Sequence, residues 1–456
     1  MEKKREGFGS RMAVILAMAG SAIGLGNIWR FPYMLGEYGG FAFVLIYIVA
    51  TLLVSLPVFV AEVVIGRRSR CNARDAFMRL APGHSGFWRI TGLLPVLIPT
   101  IIASYYSVIG GWSLEYLVKA FQGVFSSLSP EQSAGIFSGF ISSTWTPIVM
   151  HLLFFALCAV VVALGVKSGI ERFSKFTMPV LFVLVVFIAI YSICLPGAWG
   201  GVEYIFKPDL SRMTPRTFAY AMGQSFYSLS LGMGAIITYG SYVHKNENIL
   251  ASSTGTAISD LTFALLAALA IMPAVFAAGI EPGAGPGLIF QSIPFIFSKM
   301  SIDMPWISGV VAVMFFLTVV VAAMTSCISL IEVVTAYLVE RYHISRGKAV
   351  AAVSLVCGSA GILCSLSFGP LAGFTIGGKS IFDLFDWVAS NILLLLMSLI
   401  TVVFVGFVMK KDDVRDEFTN SGSLSLNRKV FPAVYFLIKW VAPVAIAVIF
   451  LTNFIL

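Results

Sequence analysis

Residues 17–32, AMAGSAIGLGNIWRFP, place three glycines, an asparagine and an arginine inside an otherwise apolar segment. Each glycine weakens a helix by about 1 kcal/mol relative to alanine, and an amide or a charge is costly in lipid. A helix that breaks here would free backbone carbonyl and amide groups from their own hydrogen bonds. Together with the Asn27 amide and the Arg30 guanidinium, these groups can bind small ions and polar ligands. The pattern therefore predicts a binding site at a helix break.

A second stretch of the same kind follows five predicted helices later. Residues 228–235, SLSLGMGA, again place small polar residues beside a G-x-G sequence. Taken alone, glycines spaced like Gly20 and Gly24 are typical of close helix packing. Two such stretches in matching positions instead predict two inverted repeats, each with one interrupted helix.

Composition places these residues in a membrane protein. Hydrophobic residues make up 58% of the chain, charged residues make up 11%, and the mean hydropathy is +0.93. A soluble domain carries roughly 25% charged residues. The apolar stretch after the charged N-terminal residues lacks a small-residue cleavage site, so we expect no cleavable signal peptide. Six scattered cysteines without a C-x-x-C pair and four separated histidines predict reduced thiols and no metal centre built from them.

Eleven apolar runs are long enough to cross a bilayer, which takes about 20 residues. We expect an all-α polytopic fold with eleven transmembrane helices near 11–36, 40–66, 90–122, 146–165, 170–195, 216–241, 250–279, 305–339, 348–367, 380–409 and 429–454. With the N-terminus inside, 22 of the 30 basic residues fall on the cytoplasmic side. This asymmetry predicts a cytoplasmic N-terminus and an outer C-terminus. It also explains the net charge of +8 without a nucleic-acid partner.

The predicted helices divide the chain into three parts. Residues 1–200 form the predicted first repeat of five helices, residues 201–409 form the second, and residues 410–456 form a cytoplasmic loop followed by the last helix. The outer stretch 279–304 is rich in glycine and proline yet apolar. It is either a loop folded back into an outer vestibule or an ordinary capping loop.

Several motifs, in order along nearly the whole chain, resemble the neurotransmitter:sodium symporter family. They are RMAVILAMAGSAIGLGNIWRFPY, GGFAFVLIYIV, EVVIGR, SYYSVIGGW, GQSFYSLSLGMGAIITYGSYV, AAMTSCISLIE and FDLFDW. The eleven-helix form is similar to bacterial members that carry hydrophobic amino acids. The resemblance implies a sodium-coupled symporter of the bacterial inner membrane that uses two Na⁺ ions, with a small L-amino acid and the lipid bilayer as its partners. The alternatives are an amino-acid-gated channel or a transporter-like receptor on the same scaffold, and no motif typical of an enzyme supports a third class.

The resemblance implies a first sodium site made by the Ala22 carbonyl, the Asn27 side chain, Ser228 and one residue near 260. Counting from Ser228 without gaps gives Asp260, whereas counting back from a later proline gives Ser259. We favour Asp260, because an intramembrane carboxylate needs a partner and Na⁺ supplies one. Animal relatives bind chloride beside this site, where its charge offsets that of sodium. A carboxylate at 260 would supply that charge, which predicts chloride-independent transport, with proton exchange through Asp260 as a further hypothesis.

The second sodium site implied by the resemblance combines backbone carbonyls with two hydroxyls. Its residues are Gly20, Ile23 and Ala322, which offer carbonyls, and Thr325 and Ser326, which offer hydroxyls. Without the resemblance, these hydroxyls would be read as bonded to their own helix backbone, as serine and threonine in membrane helices most often are.

The resemblance also implies a substrate pocket. Its residues are Ala22, Gly24, Leu25, Gly26, Ile102, Tyr106, Tyr227, Ser228, Ser230, Met233, Ser326 and Leu330. Backbone N–H groups near Leu25 and Gly26 would face a carboxylate. Monoamine-carrying relatives place an aspartate at the position of Gly24, so the glycine predicts a substrate that brings its own carboxylate. The apolar lining predicts that several hydrophobic or aromatic amino acids bind.

Two charged pairs are implied as gates of this pocket. Arg30 would pair with Asp386 on the outside, and Arg5 would pair with Glu340 on the inside. Alternating formation of the two pairs would give alternating access.

Overall fold

The computed structural model describes residues 7–81, 86–126, 128–281, 288–301 and 305–455. Within these ranges the protein is helical, apart from one isolated bridge between Ile376 and Lys379. The helices relevant to the site are α1 (Arg11–Ala22), α2 (Gly26–Glu37), α3 (Phe41–Ser69), α4 (Gly86–Phe121), α5 (Trp145–Ala163), α6 (Val166–Ile193), α7 (Pro215–Ser228), α8 (Ala235–Ser241), α9 (Ile249–Ala277), α10 (Trp306–Tyr342), α11 (Arg346–Leu366), α12 (Ile381–Val408) and α13 (Ser425–Thr452).

Most of the predicted spans coincide with single long helices. In the part of the chain that the structure describes, nine helices are long and apolar enough to cross a membrane, and α1 with α2 forms a tenth, bent span. The predicted span 216–241 is represented by α7 and α8, each of which is too short to cross by itself. The count of eleven spans and the division into inverted repeats therefore stay predictions.

The first helix is broken where its glycines predict. The hydroxyl of Ser10 accepts the Ala13 N–H at 3.2 Å and caps the start of α1. The helix ends at Ala22, Ile23 adopts an extended conformation, and α2 begins at Gly26 with a bend of 52°. Residues 23–25 lie between the two helices and are buried within the protein.

The second break lies between α7 and α8. A capping box of Thr214 and Thr217 starts α7, which ends at Ser228. Ser230, Gly232 and Gly234 then adopt left-handed φ values of 54°, 73° and 73°. Glycine tolerates this conformation, whereas serine does so at a cost. The glycines thus permit the reversal, and the surrounding structure holds Ser230 in place.

The unbroken helices surround the two breaks. Helices α5, α10 and α11 pack along α4, and α6 packs against α9 and α10. Helix α1 lies against α6, α9 and α10, and α8 lies against α3. The interrupted helices are therefore central, and the buried apolar side chains form one continuous core around them.

The stretch predicted as the cytoplasmic loop 409–429 contains a short helix, Lys411–Thr419. Val414 and Phe418 are buried, four residues apart on one face. This single apolar face packs the segment against the bundle, although its overall composition is polar.

The outer stretch 279–304 also contains a helix, Ile293–Ser301. Ile293, Ile296 and Phe297 are buried at the spacing of one helical face. Residues 282–287 and 302–304 lie outside the described residues, so the choice between a vestibule and a capping loop stays open for them.

Candidate functional site

The two helix breaks enclose a small cavity between α4 and α10. Every residue that lines it belongs to the predicted substrate set: Ala22, Gly24, Gly26, Ile102, Tyr106, Tyr227, Ser230, Met233, Ser326 and Leu330. Ile102 and Tyr106 are one turn apart on α4, as Ser326 and Leu330 are on α10. The two straight helices thus supply side chains, and the breaks supply backbone.

Two predicted substrate residues do not line this cavity but contact its wall. The Leu25 amide donates a hydrogen bond to the Tyr106 hydroxyl at 3.1 Å. Ser228 lies in a neighbouring polar cluster instead. The N–H of Leu25 therefore points toward the pocket, as expected for a group that would face a substrate carboxylate.

Gly24 occupies the tightest point of the cavity wall. A Cβ atom placed on it would lie 2.8 Å from the Tyr106 hydroxyl oxygen and 3.1 Å from the Ser326 Cβ. Glycine at position 24 therefore lets the backbone approach Tyr106 and Ser326 closely, which a residue with a Cβ atom would prevent.

The polar cluster next to the cavity joins Asn27, Ser228 and Asp260. Asn27 Nδ2 donates to Asp260 Oδ1 at 2.8 Å and to Ser228 Oγ at 3.0 Å. Ser228 Oγ donates to the Asp260 carboxylate at 2.8 Å, and the Tyr47 hydroxyl donates to Asp260 Oδ2 at 3.2 Å. Asp260 is fully buried.

The two alternatives near position 260 have different surroundings in the structure. Ser259 is half-buried, and its hydroxyl donates to the Gly255 carbonyl of its own helix at 2.8 Å. Asp260 faces the cluster, and no basic side chain forms an ion pair with it among the described residues. A buried carboxylate with oxygen neighbours and no basic partner is the donor set that a hard cation prefers.

The set of residues predicted for the second cation also converges, at the end of α1 and the middle of α10. Thr325 Oγ1 donates to the Ile23 carbonyl at 3.1 Å and to the Ala322 carbonyl at 2.8 Å. A Cβ at Gly20 would lie 3.6 Å from the Thr325 Cβ. Carbonyl and hydroxyl oxygens from both helices therefore face one another here.

Sequence reasoning missed two serines that connect these groups. Ser21 Oγ donates to Ser329 Oγ at 2.8 Å, and the Ser21 carbonyl accepts hydrogen bonds from Ser230 at 2.8 Å and Ser326 at 3.1 Å. Ser329 lies three residues after Ser326, on the same helical face. That spacing was a signal available in the sequence.

A buried acid on α3 was also missed as a functional residue. Glu62 is fully buried, and its Oε1 accepts the Gly232 N–H at 2.7 Å. It thereby holds the non-helical segment between α7 and α8. An isolated acid inside an apolar span is the signal that could have identified it.

Arg30 and Asp386, the pair predicted for the outer gate, each contact other groups in this structure. The Arg30 guanidinium lies over the Tyr227 ring, 4.7 Å from its centroid. Asp386 accepts a hydrogen bond from Ser390 at 3.0 Å. Arg30 and Asp386 form no direct ion pair among the described residues, so their pairing during transport stays a prediction.

The end of the site predicted to face inward contains aromatic packing around Phe8. Phe8 is fully buried and contacts the rings of Tyr239 and Tyr242 edge-on, at 5.7 and 6.0 Å. Glu340 accepts hydrogen bonds from the Asn72 amide at 2.7 Å and its side chain at 3.0 Å. Its predicted partner Arg5 lies outside the described residues.

The sequence and the fold of this chain are similar to those of known proteins. The model of the sodium:neurotransmitter symporter family matches residues 5–131 and 137–456. Uncharacterized sodium-dependent transporters of Haemophilus influenzae and Bacillus subtilis are each 36% identical to this chain, covering 99% of it and 98% of their own length. The crystal structure of MhsT in complex with L-phenylalanine matches with a TM-score of 0.89 and 40% identity, covering 99% of this chain and 100% of that one. A sodium- and chloride-dependent taurine transporter from dog is 26% identical over 91% of this chain and 73% of its own length.

Proposed function

Because this chain belongs to the sodium:neurotransmitter symporter family, we propose that it imports hydrophobic and aromatic L-amino acids together with two Na⁺ ions. The observation that carries the proposal is the cavity at the two breaks, which joins backbone polar groups to an apolar lining. MhsT, which shares this fold, was solved with L-phenylalanine. No feature of the described cavity favours a channel or a receptor.

The carboxylate and ammonium groups of the substrate would be bound at one end of the cavity. The N–H groups of residues 25 and 26 and the Tyr106 hydroxyl would bind the carboxylate, as free helix N-termini bind anions. The carbonyls near the end of α1 would accept the ammonium group. No charged side chain lines the cavity, so charged amino acids lack a counter-charge and are excluded.

The side chain of the substrate would contact Ile102, Met233 and Leu330. Methionine is flexible and polarizable, which lets it adapt to differently shaped apolar groups. We therefore propose that several hydrophobic or aromatic amino acids are carried rather than one.

Sodium coupling follows from shared residues. The first ion would be held by Ala22, Asn27, Ser228 and Asp260, and the second by Gly20, Ile23, Ala322, Thr325 and Ser326. Ala22 and Ser326 also line the substrate cavity. An ion that orders these residues would raise substrate affinity, and substrate would raise ion affinity by the same factor.

Asp260 would make transport independent of chloride. Its carboxylate lies within hydrogen-bonding distance of Asn27 and Ser228, so it supplies a negative charge beside the first ion. We propose that Asp260 takes up a proton when sodium leaves, which neutralises this charge in the empty carrier.

Access to the cavity would alternate between its two ends. On the outside, Arg30 and Tyr227 would separate to admit substrate, and on the inside Phe8 and the Arg5–Glu340 pair would separate to release it. We propose that the N-terminus is cytoplasmic, that the C-terminus is outside and that the membrane is the bacterial inner membrane, in keeping with the bacterial relatives.

Uptake of labelled L-phenylalanine into proteoliposomes tests the function. An inward sodium gradient should drive accumulation, and a competition panel should show inhibition by leucine, tyrosine and tryptophan but not by lysine or glutamate. Ion current without accumulation would contradict the proposal and favour the channel.

Removal of one hydroxyl from the second ion site should weaken sodium coupling. Thr325→Val keeps the shape of the side chain but deletes the group that contacts Ile23 and Ala322. Loss of one such interaction, worth about 1 kcal/mol, should raise the sodium concentration for half-maximal uptake roughly fivefold. Thr318→Val is the matched control, since Thr318 bonds the Met314 carbonyl of its own helix. An equal shift in both variants would contradict the assignment.

A further inference from the structure

Lys439 lies well inside a candidate membrane-spanning helix, α13, and has no carboxylate partner in the part of the chain that the structure describes. Its ammonium lies over three aromatic rings, 4.7 Å from the centroid of Phe407, 5.7 Å from Trp440 and 5.9 Å from Tyr435. A Cβ on Gly406 would lie 3.0 Å from the Lys439 Cα, so the backbone of this lysine packs directly on α12.

A second lysine approaches the same aromatic group from the loop. Lys411 Nζ lies 5.5 Å from the centroid of the Tyr435 ring, and the Tyr435 hydroxyl donates to the Gly406 carbonyl at 3.0 Å. Two ammonium groups therefore share one tyrosine, whose ring is fixed between α12 and α13. This Lys411–Lys439 cleft is the feature considered below.

The positive charge of the cleft is not cancelled by the helix Lys411–Thr419. Three of the four carboxylates on this helix pair with arginines: Asp412 with Arg415 at 3.0 Å, Asp413 with Arg68 at 2.5 Å, and Glu417 with Arg67 at 2.5 Å. Further exposed cations, at Lys410, Arg428 and Lys429, belong to the same end of α12 and α13. The cleft is thus a local excess of positive charge.

Exposed aromatic rings surround the cleft. Phe407 on α12 and Phe436 and Trp440 on α13 are about half exposed, at 48%, 56% and 54%, on two candidate membrane spans that are mostly apolar. Phe407 lies one residue before the end of α12, which places the ammonium of Lys439 near the edge of the hydrocarbon layer. A lysine at this depth extends its charge toward the headgroups.

We propose that the Lys411–Lys439 cleft binds the phosphate of an anionic phospholipid, of the phosphatidylglycerol class, from the leaflet that adjoins the 409–429 loop. The two ammonium groups neutralise the phosphate, and the exposed rings of α13 contact the acyl chains. Cation–π contact alone leaves the net charge in place, whereas a phosphate removes it. This inference goes beyond the transport proposal and does not depend on it.

Native mass spectrometry of the purified full chain tests the proposal. The protein is mixed with equal amounts of phosphatidylglycerol and phosphatidylcholine, and the bound lipids are counted. We expect preferential retention of phosphatidylglycerol, by roughly fivefold for each lysine that contributes. The preference should fall toward one in the double variant Lys411→Gln/Lys439→Gln. Lys348→Gln, which removes an exposed lysine at the start of α11, is the matched control and should keep it.

A second measurement tests the proposal without the double variant, in case that variant does not fold. In vesicles, brominated phosphatidylglycerol should quench Trp440 more than brominated phosphatidylcholine does, with the Trp440 signal taken as the difference between the parent and Trp440→Phe. Unchanged lipid preference in the double variant, equal loss in Lys348→Gln, or equal quenching by both lipids would each overturn the proposal.

Discussion

Replacing Asp260 with serine is expected to turn chloride-independent uptake into uptake that requires chloride. Asp260 is fully buried and has no basic partner among the described residues, so in the proposed site its charge balances the first sodium ion. Two unit charges 4 Å apart interact by about 4 kcal/mol at an effective dielectric constant of roughly 20. Losing that interaction should lower uptake in gluconate by ~10-fold or more. Chloride should restore it, because Tyr47, Gln224 and Ser228 remain as polar neighbours.

The measurement is the initial rate of sodium-driven L-phenylalanine uptake in chloride and in gluconate. The unchanged protein should show equal rates in the two salts. Ser259→Ala is the matched control, since this neighbouring hydroxyl bonds its own helix. Strong chloride dependence of the unchanged protein, or a defect in Ser259→Ala comparable with that of Asp260→Ser, would show that Asp260 does not hold this role.

Replacing Gly24 with alanine should abolish most transport while leaving the fold intact. The added methyl group would meet the Tyr106 hydroxyl at 2.8 Å and the Ser326 Cβ at 3.1 Å. Both residues face the proposed substrate, so they must shift into the space that the substrate would use. Overpacking of this kind costs about 1–3 kcal/mol, and we expect the affinity for L-phenylalanine to fall roughly 5- to 150-fold.

Binding of labelled L-phenylalanine to purified protein, with thermal unfolding measured in parallel, separates affinity from folding. Gly223→Ala is the matched control, because a Cβ there would have no neighbour within 4 Å. Comparable affinity in Gly24→Ala and Gly223→Ala would mean that Gly24 does not adjoin the substrate. Reduced thermal stability of Gly24→Ala alone, without substrate, would point to a role in packing.

Much of the fold is predictable from the sequence because membrane spans are long and apolar. The approximate limits of every predicted span agree with helices, including the interruption at residues 23–25. Glycine and polar residues within an apolar run disfavour a continuous helix. Because this effect depends only on neighbouring residues, the sequence alone predicts the helix break. The helix within the loop 409–429 was harder to predict, because few apolar residues, among them Val414 and Phe418, form its buried face.

The sequence by itself determined which residue types are available at the two breaks, and the family resemblance led to the prediction of an uncharged cavity wall. The tertiary structure shows that Asp260, and not Ser259, faces Asn27 and Ser228, because a one-residue step on a helix turns a side chain by about 100°. It also placed Arg30 on the Tyr227 ring instead of on Asp386, and it joined Ser21 to Ser329 across 308 positions. Such contacts depend on how separate helices pack, and no periodicity along one helix records which partner a side chain will face.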